Sequence, residues 1–295
     1  MKFDENLAAI HAYLCADGYV IKNPPTQKNK YYYIGFRNTN ETLLKDFQRR
    51  FNEYFSIVPR MAKDGRCVVQ NKETYTKLIN KFESFYSYEW SSPTLNKKLM
   101  KIWLRAFFDC EGWVFCKTHQ NRHIGLDSVN EKGIDEIRRN LRKIGIETIK
   151  KENKKRHIYR IIIYGKENIS KFQKEIGFLH PQKKQKLDHT IKDFMNYNWN
   201  FPKNERVCKQ FIKGLTKKKA KISNGRYIKI ISNLEKNLIE LKKLLIKFYN
   251  INSLIYKMIN GRGVIYYQLS INKKEEVQKL IKHKLIPNIF KSEDI

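Results

Sequence analysis

Two acidic residues stand at the ends of two similar apolar stretches in this chain of 295 residues. Asp17 and Gly18 end the stretch IHAYLCADG, and Glu111 and Gly112 end the stretch LRAFFDCEG, 94 positions further on. If the two stretches pair as helices, the two carboxylates lie side by side. Mg²⁺ prefers one or two carboxylates together with water and phosphate oxygens. We therefore expect a divalent-metal site made by Asp17 and Glu111.

The pairing itself is indicated by small residues that recur four apart within each stretch. These residues are Ala12 and Ala16 in the first stretch, and Ala106 and Cys110 in the second. Residues four apart share one helix face, so two such helices can pack with their backbones close together. We expect the glycine after each acid to adopt a left-handed conformation that ends the helix.

Composition favours an anionic partner and a reducing compartment. Lys and Arg number 60 against 29 Asp and Glu, and the formal net charge is +31. Such an excess favours a polyanion, of which nucleic acid is the commonest. The five cysteines include no C-x-x-C pair, no apolar run approaches membrane-spanning length, and the first residues show no signal-peptide pattern. We expect a cytoplasmic protein without disulfides that does not contact membranes.

A longer unit occurs three times along the chain. Each copy has a short alternating strand that runs through a polar cap into a helix, at residues 33–55, 123–144 and 227–248. A hairpin and a last helix follow in each copy, with the last helices at 72–85, 166–176 and 273–283. With the preceding apolar stretch, each unit reads αββαββα. The sequence predicts an α+β protein whose sheets are covered by helices on one side.

Alternation along the strands predicts an open face on each sheet. Side chains alternate across a strand, so Ile34 and Phe36 can face the helices while Tyr33, Gly35 and Arg37 face outward. Lys and Arg are frequent in the hairpins, which makes a basic two-stranded ribbon able to enter a major groove.

The two apolar stretches resemble the signature helix of the LAGLIDADG homing endonucleases, and their spacing is similar to that of single-chain, two-motif members of archaeal type. The resemblance implies tandem αββαββα half-domains in a pseudo-two-fold arrangement. It also implies metal-dependent double-strand cleavage of DNA at a long asymmetric target by a monomer. Two or more Mg²⁺ ions would be shared by Asp17 and Glu111, with Gly18 and Gly112 in the metal site.

A second segment, IGFLHPQKKQKL at residues 176–187, resembles the I-G-F-x-x-P-x-K-x-x-K-L segment of intein-type and intron-type members of that family. It implies catalytic roles for Lys183 and Lys186. In the first repeat Lys98 matches Lys186, but Leu95 stands where the second repeat has Lys183. The two halves are therefore expected to be chemically unequal.

The resemblance also implies which residues contact double-stranded DNA. They lie on the open sheet faces, in the hairpins and at the turns that follow the strands: Lys28, Lys30, Tyr33, Arg37, Asn38, Arg60, Lys63, Arg66, Arg122, His123, Asp127, Ser128, Lys151, Lys154 and Arg156.

The third repeat departs from the other two. Its helix carries Lys219 where the acid should stand and Lys218 where the small packing residue should stand. We expect residues 1–98 and 99–200 to be working LAGLIDADG repeats. Residues 204–295 are expected to be a degenerate third repeat that extends DNA binding.

Two other functions of the same fold stay open at this point. One is an RNA-binding intron maturase, and the other is a DNA-binding protein without catalysis. The presence of both Asp17 and Glu111 favours the nuclease. In its DNA-bound form the protein is expected to associate with the nucleoid.

Overall fold

The computed structural model describes residues 1–117, 120–192, 194, 198–223, 227–261 and 263–286. It divides the chain into two compact units, residues 1–194 and 195–295. Each unit has its own hydrophobic core.

The first unit contains the αββαββα order twice and then one more helix. Its first half consists of α1 (Glu5–Ala16), β1 (Gly18–Lys22), β2 (Tyr32–Arg37), α2 (Glu41–Phe55), β3 (Arg60–Ala62), β4 (Arg66–Gln70) and α3 (Lys72–Phe82). Its second half consists of α4 (Lys97–Glu111), β5 (Gly112–Lys117), β6 (Gln120–Ser128), α5 (Glu131–Lys143), β7 (Ile149–Asn153), β8 (Ile158–Tyr164), α6 (Lys166–Glu175) and α7 (Pro181–Lys192).

The second unit contains the same order once. Its elements are α8 (Glu205–Lys219), β9 (Ala220–Ser223), β10 (Tyr227–Ser232), α9 (Glu235–Tyr249), β11 (Leu254–Ile259), β12 (Ile265–Ile271) and α10 (Lys274–Lys282). The α+β class and the repeated αββαββα order predicted from the sequence are thus confirmed.

Short polar side chains set where most of these helices begin. Each accepts a hydrogen bond from a backbone N–H of the first turn, which would otherwise lack a partner. The N-terminal caps of this kind are Asp4, Asn40, Asn71, Asn96, Asn130 and Asn204. Left-handed residues at Ser56 and Asn250 follow α2 and α9.

The three sheets share one topology. Each is antiparallel and four-stranded, with orders β1-β2-β4-β3, β5-β6-β8-β7 and β9-β10-β12-β11. The inward residues Ile34, Phe36, Ile124 and Leu126 have no solvent exposure, because the helices cover that side. The alternation predicted for β2 and β6 is therefore confirmed.

The first unit is organised around the packing of α1 against α4. Ala12 and Ala106 are buried at 0% and 3% exposure. Between the helices, Trp103 Nε1 donates a hydrogen bond to His11 Nδ1 at 2.9 Å. Burial lowers the pKa of His11 to about 3, so the imidazole stays neutral and keeps its acceptor nitrogen.

The expected left-handed turn at Gly18 and Gly112 is wrong. Gly112 has φ −78° and ψ 155°, and both glycines begin β-strands. A Cβ at Gly18 would lie 2.4 Å from Leu14 Cα, and one at Gly112 would lie 2.5 Å from the Phe108 carbonyl oxygen. Glycine is required here by close backbone packing at the helix-to-strand junction, which the sequence pattern does not distinguish from a left-handed turn.

Candidate metal and nucleic-acid site

Asp17 lies directly after α1 and is held by a side chain from the neighbouring turn. Asn38 Nδ2 donates to Asp17 Oδ2 at 2.8 Å, while Asn38 Oδ1 accepts from the backbone N–H of Asn40 at 2.8 Å. The second hydrogen bond fixes the amide, so that its NH₂ group points at the carboxylate. The Asp17 carbonyl oxygen also accepts from the backbone N–H of Arg37 at 3.1 Å.

Glu111 is the last residue of α4 and lies in the electrostatic field of Asp17. Burial and the negative charge of Asp17 raise the pKa of Glu111 to about 7, and the positive charge of Lys183 opposes them. Burial raises the pKa of the intervening Cys110 thiol, which also hydrogen-bonds Asp17. The packing of α1 on α4 thus brings the two predicted acids into one partly buried site.

The donors at this site fit a hard divalent cation. Two carboxylates that repel each other hold a proton near neutrality, and a bound cation would remove that repulsion. Asp127 adds negative charge near Glu111, but both of its oxygens accept from Arg160, each at 2.6 Å. Within the described parts of the chain, no group of three or more His, Cys, Asp or Glu residues could hold a metal ion. The cation would therefore depend on two carboxylates and on oxygens from water or a substrate.

Gly18 and Gly112 were predicted as part of the metal site, and the structure shows a packing role for them. Their lack of a side chain lets β1 and β5 start directly against the last turns of α1 and α4. They allow the acids to lie at the very end of each helix.

Lys183 lies at the base of the site and binds the end of α4. Its Nζ donates to the carbonyl oxygens of Asp109 at 2.6 Å, Cys110 at 2.9 Å and Phe108 at 3.4 Å. Burial lowers the pKa of this ammonium group, although neighbouring acids favour its charged form.

The structure does not bring the other two predicted lysines to the same position. Lys98 lies in the first turn of α4, at the opposite end from Glu111, and pairs with Glu5. Thirteen residues of helix separate Lys98 from Glu111, which corresponds to about 20 Å. Lys186 is exposed on α7, one turn after Lys183.

On the first sheet, the strand register places the predicted arginines on the open face. Arg37 is paired directly with Arg66, and Arg60 is paired with Val68 on the same side. Tyr33 shares this face, and all three arginines are exposed. Tyr19 lies across Gly35, where a Cβ would be 2.3 Å from its ring.

The second sheet repeats this arrangement with different charges. His123, Asp127 and Lys151 lie on its open face, and Trp113 covers Gly125 as Tyr19 covers Gly35. Ser128 ends β6, and its hydroxyl oxygen accepts from the backbone N–H of Asn130 at 3.1 Å.

The predicted hairpin residues are exposed in loops that join the strands of these two sheets. They are Lys28 between β1 and β2, Lys63 between β3 and β4, and Lys154 and Arg156 between β7 and β8. Lys30 differs, because its Nζ donates to the carbonyl oxygens of Pro24, Pro25 and Gln27 within its own loop.

Arg122 was predicted to contact DNA, and its position contradicts this. It is only 9% exposed and alternates with Ile124 and Leu126 on the helix-covered face of β6. Its guanidinium lies 4.8 Å from the ring centre of Phe194. Since His123 faces outward, the alternation of the strand requires Arg122 to face inward.

Comparison with known families identifies the second half of the first unit. Residues 99–177, which run from α4 to the end of α6, match the family profile described as a LAGLIDADG-like domain. These residues form a LAGLIDADG domain. The matched residues include most of α4, which packs against α1 of the first half.

One relative is similar to this chain over a longer stretch than residues 99–177. A curated relative, the isomerizing glutamine–fructose-6-phosphate aminotransferase of Methanocaldococcus jannaschii, is 22% identical over 214 residues. That alignment covers 66% of this chain, and the chain spans about a fifth of the relative's length, 19%.

Similar solved structures include those of a homing endonuclease and of a LAGLIDADG domain. I-DmoI in complex with DNA and Ca is 18% identical with a TM-score of 0.47, covering 62% of this chain and 99% of that one. Variants of the homing endonuclease I-DmoI align at 18% identity and a TM-score of 0.45, over 58% and 92% of the two chains. The N-terminal LAGLIDADG domain of DUF199/WhiA aligns at 15% identity and a TM-score of 0.38, over 59% and 83%.

The candidate site contains one further acid, which was not predicted from the sequence. Asp109 is 1% exposed, and its carboxylate accepts from the backbone N–H groups of Leu179 and His180. Burial raises the pKa of Asp109 to about 7, against the effect of those hydrogen bonds and of Lys183. The sequence could have indicated Asp109, because it is a charged residue inside an otherwise apolar helical stretch.

No helix among the described residues is long and apolar enough to cross a membrane.

Proposed function

We propose that this protein is a DNA endonuclease that makes metal-dependent double-strand cuts at a long, asymmetric site. The observation that carries the proposal is the meeting of Asp17 and Glu111 at the ends of two packed helices. Burial and the charge of Asp17 raise the pKa of Glu111 to about 7. Two carboxylates this close disfavour each other's charge, and a bound divalent cation would relieve that repulsion.

Asp17 and Glu111 would hold Mg²⁺, while Asn38 keeps the Asp17 carboxylate in place. When bound, Mg²⁺ neutralises charge on the scissile phosphate, lowers the pKa of a bound water and stabilises the leaving oxygen. Of the other carboxylates near these acids, Asp127 is paired with Arg160 and Asp109 accepts backbone N–H groups of Leu179 and His180, which leaves coordination positions for water and phosphate.

The two open sheet faces of residues 1–194 would bind the duplex. Arg37, Arg60 and Arg66 on the first face are suited to phosphates and to guanine edges. The second face instead carries the Asp127–Arg160 ion pair beside Lys151. Two unlike faces in one chain fit an asymmetric target that a monomer can read without dimerisation.

The division into repeats 1–98, 99–200 and 204–295 is part of the proposal. In the third repeat, Lys217, Lys218 and Lys219 end α8, so it has no metal-binding acid at that position. Its contribution would be additional phosphate contacts.

The test is cleavage of a randomised plasmid library by the purified protein with Mg²⁺, with EDTA and with Ca²⁺. We expect linear products at a restricted set of sequences with Mg²⁺ and none with EDTA. Binding without cutting under every metal condition would contradict the endonuclease and would favour a DNA-binding protein without catalysis. Selective retention of structured RNA over duplex DNA in a parallel binding assay would favour an RNA-binding maturase.

A further inference from the structure

The end of α4 and the start of α7 hold each other through two side chains. Asp109 Oδ1 accepts from the backbone N–H groups of Leu179 and His180, both at 2.9 Å, just before α7 begins. In return, Lys183 in the first turn of α7 donates to the carbonyl oxygens of Asp109, Cys110 and Phe108. The Asp109 carboxylate thus accepts hydrogen bonds just before the start of α7, and the Lys183 ammonium group donates hydrogen bonds to the end of α4.

Both contacts are favourable because of the unpaired backbone groups and partial charges at helix ends. The last carbonyls of a helix have no partner within it, and they carry partial negative charge. The Lys183 ammonium group donates to three carbonyls of the last turn, so all three of its protons are used and none points at a substrate. The Asp109 carboxylate in turn lies where the helix start is partially positive.

The first half of the unit lacks both partners. With Asp17 aligned on Glu111, Cys15 stands in place of Asp109, and Leu95 stands in place of Lys183. There the Asp17 side chain is held by Asn38 instead. The two partners are present together in one half and absent together in the other, as expected of a pair that acts jointly.

We propose that Asp109 and Lys183 are positioning residues that fix the last turn of α4, so that Glu111 faces Asp17. This inference rests on the proposed metal site. Lys183 then acts through the α4 backbone and does not contribute to the chemistry directly. The two metal-binding acids are oriented by different means, one by a side-chain amide and the other by the exchanged contacts of two helices.

The discriminating experiment is a Tb³⁺ titration of the full-length protein, followed by luminescence excited through tryptophan. The variant Lys183→Met keeps the aliphatic stem and removes the three hydrogen bonds. Loss of support for a metal ligand typically weakens binding by about 10- to 100-fold, and we expect that weakening here. Removing a nearby positive charge would by itself tighten cation binding, so the sign separates positioning from electrostatics.

Matched variants complete the test. Lys184→Met removes the exposed neighbouring charge and should bind Tb³⁺ as the parent does. Lys183→Gln can still donate to the α4 carbonyls, so it should bind Tb³⁺ more tightly than Lys183→Met. If Lys183→Met fails to fold, Lys183→Gln is compared with the parent instead. Asp109→Asn keeps the oxygen that accepts both N–H groups, so it should weaken binding less than Asp109→Ala.

The outcomes are separable from those of the endonuclease test. Equal or tighter Tb³⁺ binding by Lys183→Met overturns the positioning role, even if the parent cuts DNA. If Glu111→Gln and Lys183→Met both bind Tb³⁺ more weakly than the parent and the parent cuts no DNA, the nuclease is overturned and the positioning role is supported. A parent that binds Tb³⁺ no better than Glu111→Gln overturns both.

Discussion

At the scale of single residues, the site depends on two carboxylates that differ in their surroundings. Asp17 accepts a hydrogen bond from Asn38 at 2.8 Å, whereas burial and the charge of Asp17 hold Glu111 partly protonated near pH 7. A cation that binds between them must displace the Glu111 proton. Metal affinity and the protonation of one carboxylate are therefore linked.

Replacing either acid by its amide should abolish cutting and leave DNA binding nearly intact. Asp17→Asn and Glu111→Gln each remove one of two charged ligands, and we expect single-turnover cleavage in Mg²⁺ to fall by at least about 100-fold. Binding should be measured in Ca²⁺ on the same DNA. Lys184→Met serves as a control for general changes in charge. Cleavage at the parent rate by either amide variant would exclude that acid from the metal site.

Glu111 should make the metal-free protein less stable as pH rises. The folded pKa of Glu111 is about 7, raised from the usual value of 4.5, so the folded state binds more protons than the unfolded state between these values. Stability therefore falls with increasing pH across that window. Glu111→Gln should remove part of this fall and melt above the parent at pH 8 in EDTA. Parallel pH profiles of the melting temperature in parent and variant would contradict the raised pKa.

At the scale of elements, α1 and α4 determine where the acids meet. Small side chains let the two helices approach, and the Trp103–His11 hydrogen bond joins them. The polar groups of this bond are buried, and leaving one of them unpaired would be unfavourable. The helix contact is thus specified by both shape and hydrogen bonding.

Overpacking this contact should destabilise the whole first unit. Ala106→Leu adds three carbon atoms at a position with 3% exposure, and such changes typically cost about 1–3 kcal/mol. We expect a lower denaturant midpoint with an unchanged slope. Asn52→Leu, on the exposed face of α2, is the control for adding a leucine to a helix. Equal midpoints for the two variants would show that α1 and α4 do not pack through Ala106.

Much of the element order could be predicted because two periodicities and repeated caps agree. The strands at Ile34 and Ile124 alternate strictly, and Asn40 and Asn130 mark the starts of α2 and α5. The paired acids also follow from their spacing. The exchange between Asp109 and α7 could not be predicted, because it joins residues 70 positions apart through backbone atoms that sequence does not distinguish.

At the scale of the whole molecule, the chain combines one paired unit with one single repeat. The second unit keeps the sheet order of the others, and in it Lys and Arg outnumber Asp and Glu more than threefold. No acid occurs in its four strands. A repeat with this positive charge and no acid in its strands fits the proposed role of increasing DNA affinity.

Truncation after Pro202 should leave a folded, metal-dependent core that binds DNA more weakly. Residues 1–194 form their own compact unit, so we expect a cooperative melt without the remainder. Each phosphate contact that is lost lowers the slope of log affinity against log salt by roughly 0.9. Footprint length and salt slope should both decrease relative to the full chain. An unchanged footprint and slope would indicate that the second unit binds something other than DNA.

The position of the acids at the ends of α1 and α4 has a consequence for how such a site is lost. A carboxylate at the carboxyl end of a helix opposes the partial negative charge there, whereas a lysine complements it. The third repeat ends its corresponding helix with Lys219. A lysine at this position removes the proposed metal ligand and also stabilises the end of the helix. If the proposed site cuts DNA, Asp17 and Glu111 are kept there at a cost in local helix stability. On the proposed function, a repeat no longer selected for cutting could exchange its acid for a lysine without passing through a less stable form.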